Sequence, residues 1–359
     1  MNYNESRIKA VRSTFDVGGF SAIYITNLTN VRYLSGFNGS AGSCFISDKA
    51  AYFISDGRYG TQSKEQVHDM EIIISNKPHI EILVSKGIIS GKQKIAFEAD
   101  ELSINALKQL KLIASECQWV ETTQLVEKIA MVKDKLEISS MRTAVQITDA
   151  VFEQIIPEVR PGSTEQEIAA KIPFACKMMG AECESFPPII ASGENSALPH
   201  AKPTERRIEV GDFVVLDFGA KYHGYHADMT RTIVVGNATA KHFEIYDIVY
   251  EAQKLGCQAA IDGIACKEID AICRGHINNQ GYGEFFNHST GHGLGLEIHT
   301  NPRFSPLSND KVFENYLMTI EPGIYLPNFG GVRIEDDVLI KKDGCEILNN
   351  SPKELLELN

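Results

Sequence analysis

Apolar positions along the chain keep two rhythms. In the first third they come as short runs: "FSAIYIT" (20–26), "SCFIS" (43–47), "AAYFIS" (50–55) and "KQKIAFE" (92–98). Runs of this length bounded by Gly, Asn and Asp predict short buried strands. "GFNGSAG" (36–42) is a glycine-rich loop, and "SINALKQLKLIASE" (103–116) has helical spacing. This part reads as a small α/β domain. From 133 the spacing lengthens. Apolar residues at 138, 141, 145, 151, 152 and 155 predict one long amphipathic helix over 133–159. It ends at "RPGS", after which Thr164 and Glu167 predict a capping box for a second helix. Pro173 inside that second pattern predicts a kink or a break. From 210 onward strands dominate as hairpins, interrupted by one helical stretch from about 241 to 280. The second domain is therefore α+β with a curved antiparallel sheet. The boundary falls near 125–132, giving domains 1–127 and 128–359.

Two of the hairpins carry acids where an apolar strand would be expected. "DFVVLDFG" and "HADMTRTIVV" flank "AKYHGY". A turn centred on Tyr222 and His223 sets Asp217 opposite Asp228, with Cβ atoms about 4.5–5.5 Å apart. Like charges there destabilise the pair unless a proton or a divalent cation neutralises them. "MTIEPGIYL" (318–326) and "GGVRIEDDVLI" (330–340) repeat the device with Glu321 and Glu335. Asp336 falls on the opposite sheet face, whereas Asp337 shares the face of Glu335. "HSTGHGLGLEIH" (288–299) offers His288, His292 and His299 among glycines. Four carboxylates and one imidazole balance two divalent cations. Such a pair can activate a bridging water and polarise a carbonyl, the chemistry of an amide hydrolase. The oxygen-rich donor set without thiolate favours Mn, Co, Fe or Zn over a cysteine zinc site. His223 and His226 sit at the turn, facing water or supporting the ligands from behind. His68, His79, His242 and His276 read as surface residues.

Composition narrows the partners. The chain has 359 residues, 43% hydrophobic and 23% charged, with a net charge of −12. That balance argues against nucleic acid or an anionic membrane as the main partner. No stretch resembles a signal peptide, and no run of about 18 apolar residues predicts a membrane span. Eight cysteines without a CxxC pair read as free thiols in a reducing compartment, which places the protein in the cytoplasm.

The motifs "LDFGAKYHGYHADMTRT", "GHGLGLEIH", "TIEPGIY" and "GGVRIED" resemble the pita-bread metallopeptidases. That superfamily comprises methionine aminopeptidase, Xaa-Pro aminopeptidase, prolidase and creatinase. "ASGENSALPHAKP" (191–203) and "NVRYLSGFNGSAG" with "DGRY" are similar to its Xaa-Pro branch. The resemblance implies a C-terminal pita-bread domain behind a creatinase-type N-terminal domain that serves dimerisation and limits substrate length. It implies two divalent ions, Mn foremost, with a bridging hydroxide held by Asp217, Asp228, His292, Glu321 and Glu335. Glu321 would also handle the proton of that hydroxide. His200 and His299 would meet the substrate or the tetrahedral intermediate, Arg303 the substrate, and Thr230 would support the ligands. Thr300 departs from the branch's usual Glu beside His299 and puts contacts at the pocket rim in question. The implied activity is an Xaa-Pro aminopeptidase on small peptides with proline second, acting as a homodimer. The alternative is an Xaa-Pro dipeptidase (prolidase). The intact ligand set argues against a metal-free creatinase-like hydrolase and against a non-catalytic binding protein.

Overall fold

A computed structural model describes residues 3–358 and divides after Ala130 into two units. In the first, short strands build a six-stranded sheet. Its order is Glu71–Ile74, Ala51–Ser55, Ser43–Ser47, Ala22–Ile25, Lys94–Glu98, Gln118–Thr122. The central pairings are antiparallel and the outer ones parallel. The two edge strands escape the sequence pattern. Both are half-exposed, "EIII" and "QWVET", unlike the largely buried central four. Asn27 caps the helix Leu28–Ser35. Buried Glu98 accepts the amides of Thr26 and Asn27 and the side chain of Asn30, fixing that turn to the sheet.

The second unit opens with the long helix, Lys135–Ile155, started by a capping box between Asp134 and Glu137. Its apolar stripe, including Met141, Val145, Val151, Phe152 and Ile155, is buried as the spacing requires. The capping box of Thr164 and Glu167 starts Glu165–Met178. Pro173 does not break this helix. It lies on a partly exposed face, where water can satisfy the carbonyl that loses its partner. The stretch from 241 to 280 is two helices, Ala240–Ala259 and Cys266–Asn279. They part at Gly263, whose φ of 81° is open to glycine and whose amide bonds the Val312 carbonyl. His242 is no surface residue: it is buried, its Nδ1 accepts the Thr239 amide, and its ring meets Phe213 edge-on. His68 is exposed, His79 and His276 are half-buried.

These helices pack on a strand layer in several pieces. Glu357–Leu358, Met229–Val235, Phe213–Phe218 and Ile189–Ser192 form one sheet. Thr300–Phe304, Gly291–Gly293, Leu317–Ile320, Asp336–Lys341 and Gly344–Ile347 form another. A buried ion pair fastens the two. Arg231 and Asp336 meet at 2.8 Å, 1% and 0% exposed at their side chains. Arg231 also donates to the carbonyls of Thr230, Glu335, Ser351 and Pro352, and Asp336 also accepts from Gln253 and Lys353. Every donor of that guanidinium group is used on backbone or carboxylate, so its charge is tolerated without water. Asp336→Ala would leave Arg231 buried without its counter-ion. We expect a loss of about 3–5 kcal/mol in urea unfolding, with full occupancy of the native fold at low denaturant.

Candidate metal centre and active site

Each acid hairpin places its carboxylates differently. In the first, Lys221 pairs with His226 and Thr230 with Asp217. The turn is therefore centred on His223 and Gly224, one residue later than the sequence register. Both have positive φ, 49° and 86°, which is the signature of a type I′ hairpin turn. Asp228 thus stands diagonal to Asp217, on the same face, at a spacing of about 7–8 Å for such neighbours. Gly219 makes the approach possible, since a Cβ there would lie 1.7 Å from the Ala227 carbonyl oxygen. His223 is exposed at the turn, but His226 is buried, its Nδ1 3.1 Å from the Ser185 carbonyl. In the second hairpin Ile320 pairs with Asp336 and Gly323 with Arg333, a register that sets Glu321 opposite Glu335. The ladder opens between these pairs. The Glu321 amide bonds the Thr290 carbonyl instead, and the Glu335 amide bonds that of Thr230.

The two hairpins and the histidine loop converge on one cavity of about 320 Å³. Asp217, Asp228, His292, Glu321, Glu335, His200, His299 and Arg303 all line it. Ligand atoms of Asp228, His292 and Glu335 lie within 4.8 Å of one another. Thr230 lies beneath, fully buried, donating to Glu335 Oε2 at 2.6 Å. Thr300 is paired across from Gly293, with its hydroxyl buried. Asp337 does not line the cavity, but its Oδ2 accepts the Asp228 amide at 3.1 Å.

The electrostatics are those of a site built for cations. Asp217 Oδ1, Asp228 Oδ1 and Glu335 Oε1 are buried oxygens with no hydrogen-bond partner among the described residues. Burial, then neighbouring carboxylates, pushes Asp228 and Glu335 well above the usual acid range. Burial also lifts Glu321 to about 7. His292 is driven the other way, down to about 3, chiefly by burial. Its Nδ1 lies 3.0 Å from the Gly293 carbonyl. A carbonyl only accepts, so Nδ1 carries the proton and Nε2 keeps its lone pair. That lone pair faces Glu321 at 3.4 Å and Asp228 at 3.6 Å. Orphaned carboxylate oxygens around a neutral imidazole fit divalent cations.

Arg333 is the site residue that the sequence pattern passed over. It shares the strand face of Glu335, so the same period of two that separates Asp336 from Asp337 could have flagged it. Arg333 Nη2 bonds Asp217, Nε donates to Thr230 Oγ1 at 3.0 Å, and Nη1 donates to Tyr325 Oη at 2.8 Å and to the Pro199 carbonyl. Tyr325 Oη in turn lies 2.8 Å from His288 Nε2, and His288 Nδ1 lies 2.8 Å from the Ser289 carbonyl. The carbonyl takes the Nδ1 proton, so the tyrosine donates to Nε2. Every proton in the chain from Arg333 to Ser289 thereby has one direction. His288, which shared the glycine-rich loop with His292, belongs to this chain.

Two family models cover the chain. Residues 139–342 match "Metallopeptidase family M24", and residues 7–132 match "Creatinase/Prolidase N-terminal domain". The chain is an M24 metallopeptidase. It belongs to the pita-bread, Xaa-Pro branch of that family, as its relatives bear out. A structure titled Xaa-Pro dipeptidase from Bacillus anthracis superposes with a TM-score of 0.95 at 42% identity, covering 99% of this chain and 100% of that one. The Xaa-Pro dipeptidase of Pyrococcus horikoshii is 37% identical over 99% of this chain and 100% of its own length. The X-Pro aminopeptidase of Thermotoga maritima superposes with a TM-score of 0.90 at 35% identity, covering 96% and 100%. Among the described residues of this M24 peptidase, no helix is long and apolar enough to cross a membrane.

The raised acids set a pH dependence for the metal-free protein. A carboxyl group whose folded pKa lies above its unfolded one binds more protons folded, so stability falls as pH rises between the two. For Glu321 that window runs from the ordinary carboxyl value of 4.5 to about 7. Glu321→Gln removes this loss. In protein stripped with a chelator, we expect the variant to melt several degrees above the wild type at pH 7.5. The two should melt together near pH 4.5 in differential scanning calorimetry.

Proposed function

We propose that the protein hydrolyses Xaa-Pro dipeptides, using two divalent cations held by Asp217, Asp228, His292, Glu321 and Glu335. The observation that carries the metal reading is the set of orphaned buried oxygens around the His292 lone pair. Four carboxylates also match the charge of two such ions. Mn is the first choice, ahead of Co, Zn and Fe, because the donor set is rich in oxygen and has no thiolate. When bound, the ions supply Lewis acidity to the scissile carbonyl and to the attacking water.

The chain's own residues do the rest. Glu321 reaches the cavity and takes a proton from the water as its oxygen bonds the carbonyl carbon. The same proton passes to the proline nitrogen as the C–N bond breaks, leaving a free amino acid and proline. His200 and His299 stand at the cavity to donate to the oxygen that gains charge. Partial burial, then Arg303 and His200, lowers the His299 pKa, which keeps that ring neutral and able to give one N–H. Phe186, Ile189 and Pro199 form an apolar wall suited to a pyrrolidine ring. The X–Pro amide has no N–H, so a site that recognises it must work through shape and the carbonyl.

The dipeptide reading is supported by relatives of 37% and 42% identity that carry that name over their whole length. It fits Arg303, an exposed cation on the cavity lining that suits the free carboxylate of a C-terminal proline. The aminopeptidase reading has its own support in the Thermotoga relative. The unit up to Ala130 is assigned to dimer formation and to limiting substrate length, by its likeness to the Creatinase/Prolidase N-terminal domain. Eight free cysteines support a cytoplasmic setting.

Protein stripped with chelator and reloaded with Mn²⁺ should cleave an Xaa-Pro dipeptide and leave an Xaa-Pro-Xaa tripeptide largely intact. Preferential release of the first residue from the tripeptide would replace this reading with the aminopeptidase. Arg303→Ala should raise KM for the dipeptide by roughly 10- to 100-fold, the cost of one charge-assisted contact, with kcat little changed. Asp228→Ala should abolish turnover, and retained turnover in that variant would sink the metal reading.

A further inference from the structure

His200 differs from the other site residues in what holds it. The ligands stand on strands or within two residues of a strand end, whereas His200 lies between Ser192 and Thr204, beyond the 3-10 turn Gly193–Ala197, and is itself exposed. No hydrogen bond to its ring is formed among the described residues. Its place at the cavity therefore depends on the shape of the loop backbone.

That loop is closed at both ends by one side chain. Glu165 is the first residue of the helix Glu165–Met178 and is fully buried. Its Oε1 accepts the Ser192 amide at 2.7 Å, the Ser192 hydroxyl at 2.8 Å and the Asn195 side-chain amide at 3.1 Å. Its Oε2 accepts the Thr204 amide at 2.9 Å and the Thr204 hydroxyl at 2.7 Å. The helix start adds two backbone bonds, from Glu165 to the Arg206 carbonyl and from Gln166 to that of Thr204. The carboxylate thus holds the entry and the exit of the loop together, and it sits at the positive end of the helix dipole. Between the clamped ends, Ser196 Oγ accepts the Gly331 amide and the Pro199 carbonyl accepts from Arg333. These two contacts tie the loop to the strand that carries Arg333 toward Glu335.

We infer that Glu165 is a positioning residue for the reaction: it closes the 192–204 loop and thereby sets where His200 stands beside the metal ligands. The catalytic part of this inference rests on the role proposed above for His200. The clip itself does not. Carboxylate oxygens are needed at both ends, because all the groups they meet are donors. In Glu165→Gln one acceptor oxygen becomes an NH₂ group facing donors, so one end of the loop is released. Thr204→Val removes one hydroxyl donor at an exposed position and serves as the milder variant.

The test has two readouts. The first is the Cε1–H NMR resonance of His200 in protein labelled at histidine and freed of metal, assigned by its loss in His200→Ala. Glu165→Gln should shift or broaden this line, and Thr204→Val should do so to a lesser degree, with the His292 line unmoved. A His200 line identical to wild type in both variants overturns the inference. The second is a double-mutant cycle with the Mn²⁺-loaded enzyme and an Xaa-Pro dipeptide. Glu165→Gln alone should lower kcat by about 100-fold, the scale of a misplacement of about 1 Å, with metal content preserved. In the His200→Ala background the same change should cost less than about threefold, because the two act through one group. Full additivity overturns the positioning role. If the wild type cleaves no Xaa-Pro bond, the proposed reaction fails, and the NMR arm alone still decides whether Glu165 places His200.

Discussion

Four carboxylates packed out of water on facing strands are the constraint around which the second unit is arranged. At neutral pH their mutual repulsion opposes folding, and burial makes each charge dearer still. The chain answers on both faces of the sheet. On the cavity side Arg333 bonds Asp217 and, through Thr230, steadies Glu335. On the far side Arg231 pairs with Asp336 and spends its remaining donors on carbonyls. Arg333 lines the cavity yet leaves Asp217 Oδ1, Asp228 Oδ1 and Glu335 Oε1 without a partner among the described residues. The acids are held apart from their neighbours and short of neutralisation.

Local geometry then turns this into a shaped site. The second hairpin gives up its ladder where Glu321 meets Glu335, and the freed amides find the carbonyls of Thr290 and Thr230. Pro322, which has no N–H to lose, stands at the gap. The first hairpin keeps one register but sets Asp228 off the direct pair with Asp217, with Gly219 admitting the close approach of the backbones. The Thr319 hydroxyl joins the second hairpin to the histidine loop, accepting the His292 amide and donating to Glu321.

Much of this was legible in the residues. Acids at strand positions stand out against an apolar background, so Asp217, Asp228, Glu321 and Glu335 could be singled out by period and type. The register of the first hairpin could not, because the positive φ of His223 and Gly224 moves the turn by one residue. Arg333 lay hidden because a lone cation in a strand is ordinary until its partner is known. Tyr325 and His288 gain meaning only through contacts across 37 residues. Glu165 went unnoticed between the capping residues Thr164 and Glu167, and the loop it clips is invisible without distances. His242 read as a surface residue, yet it is buried and packs against Phe213.

The span of these contacts bears on how the molecule assembles. Thr230 reaches Glu335 across 105 positions, Arg333 reaches Asp217 across 116, and Asp228 leans on Asp337 across 109. Closing such long loops is slow and gives little reward until both ends have arrived. Either hairpin alone is a local structure with two repelling acids and an arginine whose carboxylate partner lies on the other hairpin. The cavity is therefore among the last parts of the unit to take shape, and a chain that has folded only its helices and first hairpin has no place to bind a cation.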